Sequence, residues 1–376
     1  MDFSFEVAPK GAVIKVVGVG GAGGNAVKNM IQAGVCGVEF IVANTDAQVL
    51  ALHEAPNKIH LGQAITKGLG AGGNPEIGQK SAIEDADLIA DSLRGADIVF
   101  VTAGMGGGTG TGAAPVIASI AKDLGALTIA VVSTPFTWEG RHRKNYAEAG
   151  LKNLKDHVDS YIAVSNARLM EVVDKNATFE DGLKISDDVL RQGVQGISDT
   201  INVPGIINLD CADVRSIMES RGRALMGIGS SSGENRDREA LEKALKGPLL
   251  GDTNIRGAYG ILLNITSGKD IKMSEIDNIG TMIHEYAGQD SKVFAGFVND
   301  GRTDGSIKVT VIATGIDQKE NPKTVNLEEY IKKESAGEIM DRVKHISKND
   351  KNLRGLDEYN NNNEYEIPTY LRKQVD

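Results

Sequence analysis

Residues 104–112 read Gly104-Met105-Gly106-Gly107-Gly108-Thr109-Gly110-Thr111-Gly112, six glycines in nine positions. An apolar run, Asp97 to Thr102, precedes them, and a helix-like run, Ala113 to Leu124, follows with Pro115 in its first turn. Proline is tolerated there because its missing N–H has no intrahelical partner. The loop gives up side chains and keeps backbone N–H groups plus the hydroxyls of Thr109 and Thr111. Glycine lets a backbone approach phosphate, and a helix start adds free N–H donors and positive potential. A strand, a glycine loop and a helix in this order read as a phosphate cradle at the edge of an α/β sheet.

Upstream, Val13 to Val17 is a β-branched run, followed by Gly18-Val19-Gly20-Gly21-Ala22-Gly23 and a helical stretch from Asn25 to Gln32. This satisfies G-x-G-x-x-G. Taken alone it suggests a dinucleotide fold, with Glu39 or Asp46 as the ribose carboxylate. A third glycine loop spans Gly68 to Asn74, after a strand from Val38 to Ala43 that ends in Asn44-Thr45-Asp46. Glu76 to Leu93 reads as one long helix and Leu127 to Ser133 as a strand. Strands alternating with helices predict a parallel sheet covered on both faces. Several glycine loops at one sheet edge suit a longer anionic chain, a triphosphate. No G-x-x-x-x-G-K-[ST] occurs, so the reading is a nucleoside triphosphatase without a P-loop.

Phe179 to Ser198 has helical spacing at Phe179, Leu183, Leu190, Val194 and Ile197. Strand-like Ala224 to Ile228, helix Asp237 to Lys246, strand Ala258 to Ile265 and helix Ser274 to Ala287 follow. Val293 to Val298 and Ile307 to Ala313 are expected to pair as a hairpin in a second, α+β domain. Gly229-Ser230-Ser231-Ser232-Gly233 fits G-x-S-x-G. It lies in a Ser-rich run read as a loop. The histidines are scattered without metal-ligand spacing.

The chain has 376 residues, enough for two or three domains. With 41 basic and 51 acidic residues its net charge is −10, which argues against non-specific nucleic-acid binding. Two cysteines, Cys36 and Cys211, exclude a disulfide framework and point to a reducing, cytoplasmic setting. No apolar run is long enough for direct membrane insertion. Residues 317–376 carry 11 basic and 13 acidic residues, the composition of a disordered tail. Leu327, Ile331, Ile339, Val343 and Ile346 are spaced for one amphipathic stretch within it. The tail ends in an apolar-basic segment, Glu366 to Lys373, that reads as a docking peptide.

Taken together, these residues resemble the tubulin/FtsZ superfamily and, within it, the bacterial division-ring GTPases. Gly107 to Gly112, GGTGTG, is the most specific part. The first loop, Asn44-Thr45-Asp46, Gly68 to Gly72, Pro135-Phe136 with Glu139-Gly140-Arg141, and Asn208-Leu209-Asp210 with Ala212-Asp213 match in order. The resemblance covers residues 11–316 and resumes at Ile367 to Lys373. It implies a Rossmann-like parallel-sheet GTPase domain (11–178) joined by a central helix (179–202) to a smaller α+β domain (203–316). A flexible N-terminus (1–10), a linker (317–363) and an adaptor-binding peptide (364–376) complete the expected plan.

The resemblance also implies roles. Gly21, Ala22, Gly23, Gly24 and Asn25 would line the α- and β-phosphates of GTP or GDP. Gly108, Thr109 and Gly110 would hold the β- and γ-phosphates, with Gly104 and Gly107 as nucleotide-binding candidates beside them. Asn44, Asp46, Ala71, Gly72 and Thr134 are further nucleotide-binding candidates. Glu139 and Arg143 would contact the ribose and nearby groups, and Asn166 and Asp187 would read guanine. A carboxylate suits that last role, because it accepts from guanine N1–H and the exocyclic amine together. Mg²⁺ would accompany the nucleotide, with no dedicated metal ligands in the chain. Asn208, Asp210 and Asp213 would act on the nucleotide of a neighbouring subunit, giving a head-to-tail homopolymer at midcell. Asp213 also reads as the N-cap of a helix from Val214 to Glu219. Four positions depart from the pattern: Cys211 and Leu183 stand where aromatics are usual, Trp138 where Phe is usual, and Asn166 lies in an altered context. The alternatives are an NAD-dependent oxidoreductase built on Gly18 to Gly23, and a nucleotide-gated scaffold without turnover.

Overall fold

The computed structural model describes residues 11–171, 177–202, 209–247, 250, 255–288, 290–299 and 305–316. The first half is β1 (Ile14–Val19), α1 (Gly20–Gln32), β2 (Val38–Asn44), α2 (Ala47–Leu52), β3 (Asn57–His60), α3 (Gln63–Thr66), α4 (Pro75–Glu84), α5 (Ala86–Leu93) and β4 (Ile98–Gly104). It continues with α6 (Thr109–Asp123), β5 (Leu127–Thr134), a 3-10 turn (Thr137–Glu139), α7 (Arg141–His157), β6 (Ser160–Ser165) and α8 (Asn166–Leu169). Helix α9 (Phe179–Asn202) leads to α10 (Cys211–Met218), β7 (Gly222–Ser232), α11 (Arg236–Leu245), β8 (Gly260–Ser267), α12 (Met273–Ala287), β9 (Lys292–Asn299) and β10 (Ser306–Thr314).

Among the described residues the strands form one ten-stranded sheet, ordered β3-β2-β1-β4-β5-β6-β7-β10-β8-β9. The first six are parallel. The inner strands β1, β4 and β5 are buried on both faces nearly end to end and show no alternation, whereas the edge strand β3 is mostly polar and β6 alternates buried and half-buried positions. A short parallel ladder from β6 to β7 joins the two halves. Helix α9 buries Leu190, Val194 and Ile197 in a cluster that holds Ile129 and Val131 from the first half and Met226, Leu262 and Ile312 from the second. On the opposite face, Ala113, Ile117 and Ala121 of α6 pack with Val99 and Val101 of β4. Helices α11 and α12 bury Leu241, Ile279 and Ile283 against β8 and β10. No described helix is long and apolar enough to cross a membrane.

Several local expectations change. Helix α1 starts at Gly20 and α6 at Thr109, inside the glycine loops, because those glycines close the first helical turns. The stretch 76–93 is two helices that break at Asp85, whose carboxylate accepts from Gly62 N at 2.6 Å. Elements α2, β3, α3, α7, β6 and α8 have no counterpart among the sequence expectations. The expected hairpin does not form: β9 pairs in parallel with β8, while β10 is antiparallel to β7 and β8. Gly229 to Ser232 lies in strand β7 rather than a loop. A straight strand cannot present Ser231 as an elbow nucleophile, and its hydroxyl donates to Glu239 at 2.6 Å. The segments 1–10 and 317–376, with the expected linker and docking peptide, lie outside the described residues.

Candidate nucleotide site

The parallel register sets Val19 beside Ala103, so the loops leaving β1 and β4 emerge side by side. The starts of α1 and α6 therefore abut: a Cβ on Gly20, where φ is +73°, would lie 2.9 Å from Gly110 N. Two helix N-termini aim free N–H groups and dipoles at one place. Positions for a Cβ on Gly21 and Gly107 have nothing within 4 Å, so both backbones open onto space. The hydroxyls of Thr45 and Thr109 meet at 2.7 Å and fix the first turn of α6.

These loops floor a cleft of about 390 Å³. Gly21, Ala22, Asn25, Gly104, Gly107, Gly108, Thr109 and Gly110 line it on the glycine side. Thr134, Glu139, Arg143, Asn166 and Asp187 line the remainder. Among the described residues its charged lining side chains are Glu139, Arg143 and Asp187, and the first two are paired with each other. Glu139 also accepts from Phe136 N at 2.9 Å, which pins the turn after β5. The glycine end thus offers an anion backbone donors and hydroxyls, while the Arg143 guanidinium is engaged by Glu139.

At the other end, Asn166 is buried and its Oδ1 accepts from the Ser186 hydroxyl at 2.7 Å. That leaves its amide N–H₂ available. Asp187 has no hydrogen-bond partner among the described residues. Burial pushes its carboxyl up to about 6. A desolvated carboxylate without a donor, facing a cleft, is a binding group waiting for one. Ser133 and Ser186 line the cleft too, and the sequence reading missed both. Ser186 adjoins Asp187 on α9, and Ser133 ends a strand at the loop edge; those placements were the available signals.

The other candidates do not line the cleft. A Cβ on Gly23 would come 2.3 Å from Thr102 O, so Gly23 serves helix–strand packing. Gly24 faces Val42 and His53. Ala71 backs onto Gly108, whose Cβ would lie 2.9 Å from the Ala71 Cβ, and Gly72 is exposed beside it. Asn44 is buried and accepts from Asp46 N, and Asp46 caps α2 through Gln48 N and Val49 N. Glu39 pairs with Lys15 at 3.3 Å. Neither Glu39 nor Asp46, the two candidate ribose carboxylates of a dinucleotide site, lines the cleft.

Asp210 and Asp213 sit at the start of α10, and Asn208 lies outside the described residues. Asp210, not Asp213, is the N-cap: its carboxylate accepts from Asp213 N at 2.7 Å, and Asp213 returns the contact to Asp210 N. The helix starts three residues earlier than expected because this reciprocal box satisfies its free donors. Arg215 anchors α10 to the carbonyls of Asp97 and Gly125, at 3.3 and 3.5 Å. Both carbonyls precede the amino ends of β4 and β5, whereas the glycine loops follow the carboxyl ends. Seven residues of β4 separate the two edges, about 20 Å at the rise of an extended strand. Among the described residues, no group of three or more His, Cys, Asp or Glu is placed to hold a metal ion.

Residues 13–174 match the GTPase domain of the tubulin/FtsZ family, and residues 222–317 match the FtsZ family C-terminal domain. The fold is similar to an FtsZ dimer from M. jannaschii, with a TM-score of 0.79 and 39% identity over 82% of this chain and 90% of that one. Two proteins of Haloferax volcanii share the fold at lower identity. CetZ1, a GDP-bound monomer, has a TM-score of 0.71 at 21% identity, covering 81% of this chain and 97% of that one. CetZ2, a GTPγS-bound protofilament, has a TM-score of 0.68 at 20% identity, covering 88% and 99%. The glycine cradle, the match on both sides of α9 and the identity to FtsZ agree: the chain belongs to the tubulin/FtsZ family of GTPases.

Proposed function

We propose that the chain hydrolyses GTP at a site completed by a second copy of itself, and that head-to-tail stacking gives filaments of a cell-division ring. The observation that carries this reading is the separation of two sets of groups. The cleft lies at the carboxyl edge of the sheet, and Asp210 and Asp213 lie at the amino edge. A subunit stacked on another sets its amino edge against the neighbour's cleft. That contact is heterologous and does not close, so it propagates. Self-association in the M. jannaschii dimer and the CetZ2 protofilament supports it.

In this reading guanine binds at Asn166 and Asp187, whose carboxylate accepts from N1–H and the exocyclic amine. Glu139 and Arg143 flank the ribose. The N–H groups of Gly107 to Gly110 and of the α1 start face the phosphates and stabilise charge developing on the γ-phosphoryl group. Asp210 and Asp213 of the adjacent copy orient the attacking water. Mg²⁺, when bound, neutralises phosphate charge. With no carboxylate at the glycine end, phosphate oxygens and water would supply most of its ligands, with the Thr109 hydroxyl nearby. The boundaries 11–178, 179–202 and 203–316 remain our domain reading, supported by family matches on either side of α9. A cytoplasmic, midcell location and adaptor docking through 366–373 are part of the same proposal, resting on the apolar-basic end of the charged tail.

Phosphate release from GTP, measured against protein concentration, tests it. Specific activity should be near zero when dilute and rise above a threshold. Constant specific activity would mean that each chain works alone. Assembly without any release would support the nucleotide-gated scaffold.

A further inference from the structure

Among the described residues, helix α9 begins with a largely exposed turn, Gly182 being buried. In its first turn and a half, Phe179, Glu180, Asp181, Leu183 and Lys184 are exposed. Thr178 and Asp181 cap the helix locally: Thr178 N donates to the Asp181 carboxylate at 3.0 Å, and Asp181 N to the Thr178 hydroxyl at 3.2 Å. Those bonds stay within the helix end and tie it to nothing else. The contact that reaches across is aromatic. Trp138 stacks on Phe136 with centroids 5.7 Å apart and planes 18° apart. Its indole also meets Phe179 at 5.5 Å and 60°.

The three rings connect opposite walls of the cleft. Phe136 is 6% exposed, lines the cleft and belongs to the turn that also holds Glu139. Phe179 begins a stripe on α9, Phe179, Leu183 and Asp187, at i, i+4 and i+8 on one face. Leu183 and Asp187 line the cleft from that side. The outer two rings, Trp138 and Phe179, are 63% and 66% exposed. Large rings left so exposed, yet stacked, make a contact weak enough to open and directional enough to reclose.

We propose that Trp138 and Phe179 form a latch across the base end of the cleft, which sets the distance from Glu139 and Arg143 to Asp187 and retards nucleotide release. Both are positioning residues. They act on the nucleotide through the two walls they join. The inference rests on the guanine-nucleotide reading of the cleft.

The test uses the full chain and GDP. Dissociation is followed by chasing bound labelled GDP with excess unlabelled GDP. Trp138 is the only tryptophan, so its emission reports the latch directly. Phe179→Ala and Trp138→Ala should speed GDP release about three- to tenfold, the range of one aromatic pair, with association changed less than twofold. Trp138→Phe and Phe179→Tyr should restore slow release. GDP should alter Trp138 emission in the wild type, and Phe179→Ala should abolish that response. A merely structural contact would lower thermal stability and leave both the release rate and the emission response untouched. Wild-type release rates in both alanine variants would overturn the latch, as would a loss of assembly with unchanged release, which would assign the rings to a subunit interface. A wild type that binds no GDP would remove the nucleotide reading itself, and the latch with it.

Discussion

Asp210 and Asp213 each bind the other's backbone: Asp213 N–H donates to Asp210 Oδ1 at 2.7 Å, and Asp210 N–H donates to Asp213 Oδ2 at 3.2 Å. The two carboxylates proposed to serve a neighbouring subunit thus also start α10, and a simple truncation confounds the two roles. Asp210→Ala should cost about 1 kcal/mol of stability, as loss of an N-cap does. Asp210→Asn keeps a good cap and should leave the unfolding midpoint nearly unchanged. If the carboxylates orient water, Asp210→Asn and Asp213→Asn should still abolish phosphate release. Thermal unfolding and turnover measured on the same preparations separate the effects.

A shared site also predicts complementation. Asp187→Ala should empty the cleft, and Asp213→Asn should disable the opposite edge. Each variant alone should release little phosphate. Mixed together, an intact cleft on one copy meets an intact Asp213 on another, and turnover should return in part. A mixture no more active than its components would mean that each site is complete within one chain.

Asp187 makes nucleotide affinity pH-dependent. Burial raises its carboxyl from 3.8 to about 6, so the folded, nucleotide-free chain holds this proton more tightly than the unfolded chain. Its contribution to stability is therefore present below about pH 4 and is lost as pH rises toward 6. Guanine selects the charged form, so GDP affinity should follow the opposite course and fall below pH 6. Asp187→Asn should weaken GDP about 10- to 100-fold at neutral pH, the range of a charged hydrogen bond, and flatten the dependence. Titration calorimetry from pH 5 to 8 would show it.

Two neighbouring glycines should respond differently to the same added methyl. Nothing lies within 4 Å of a Cβ on Gly107, so Gly107→Ala should keep stability and weaken nucleotide binding by intruding on the cradle. A Cβ on Gly112 would come 1.9 Å from Pro75 O and 2.6 Å from Gln79 N, where α4 crosses α6. Gly112→Ala should destabilise by about 1–3 kcal/mol or more through overpacking. Denaturant unfolding and GDP binding distinguish the pair.

In the second half, the Arg236 guanidinium is 6% exposed and bonds both Glu275 oxygens at 2.8 and 3.0 Å, with Asp270 on its other side. Arg236→Met should cost about 3–5 kcal/mol by leaving Glu275 uncompensated. The hydrogen bond from Arg236 holds Glu275 below its ordinary value of 4.5. That stabilisation is complete above pH 4.5 and lost as pH falls through the lower folded value. Unfolding midpoints from pH 3 to 7 should fall on the acid side in the wild type, and less steeply in the variant.

The elements around the cradle can be read from local sequence. Gly104 to Gly112 after an apolar strand is a local statement, because the φ freedom and close approach that phosphate loops require belong to glycine wherever it stands. The alternation of apolar strands and helices, and the apolar stripe of α9, were legible for the same reason. The remaining features depend on non-local packing. Gly23 and Gly107 look alike in the sequence, yet one meets Thr102 O and the other opens on the cleft, since only packing orients a missing side chain. β9 joined β8 rather than β10, because uniformly apolar strands carry no pattern that names a partner. Asp210 and Asp213 reached the far edge of the sheet through the bonds of Arg215 to Asp97 and Gly125. Trp138 met Phe179 only when the turn after β5 and the start of α9 folded onto the same cleft. Those contacts span about 30 to 120 positions of chain, beyond the reach of any local periodicity.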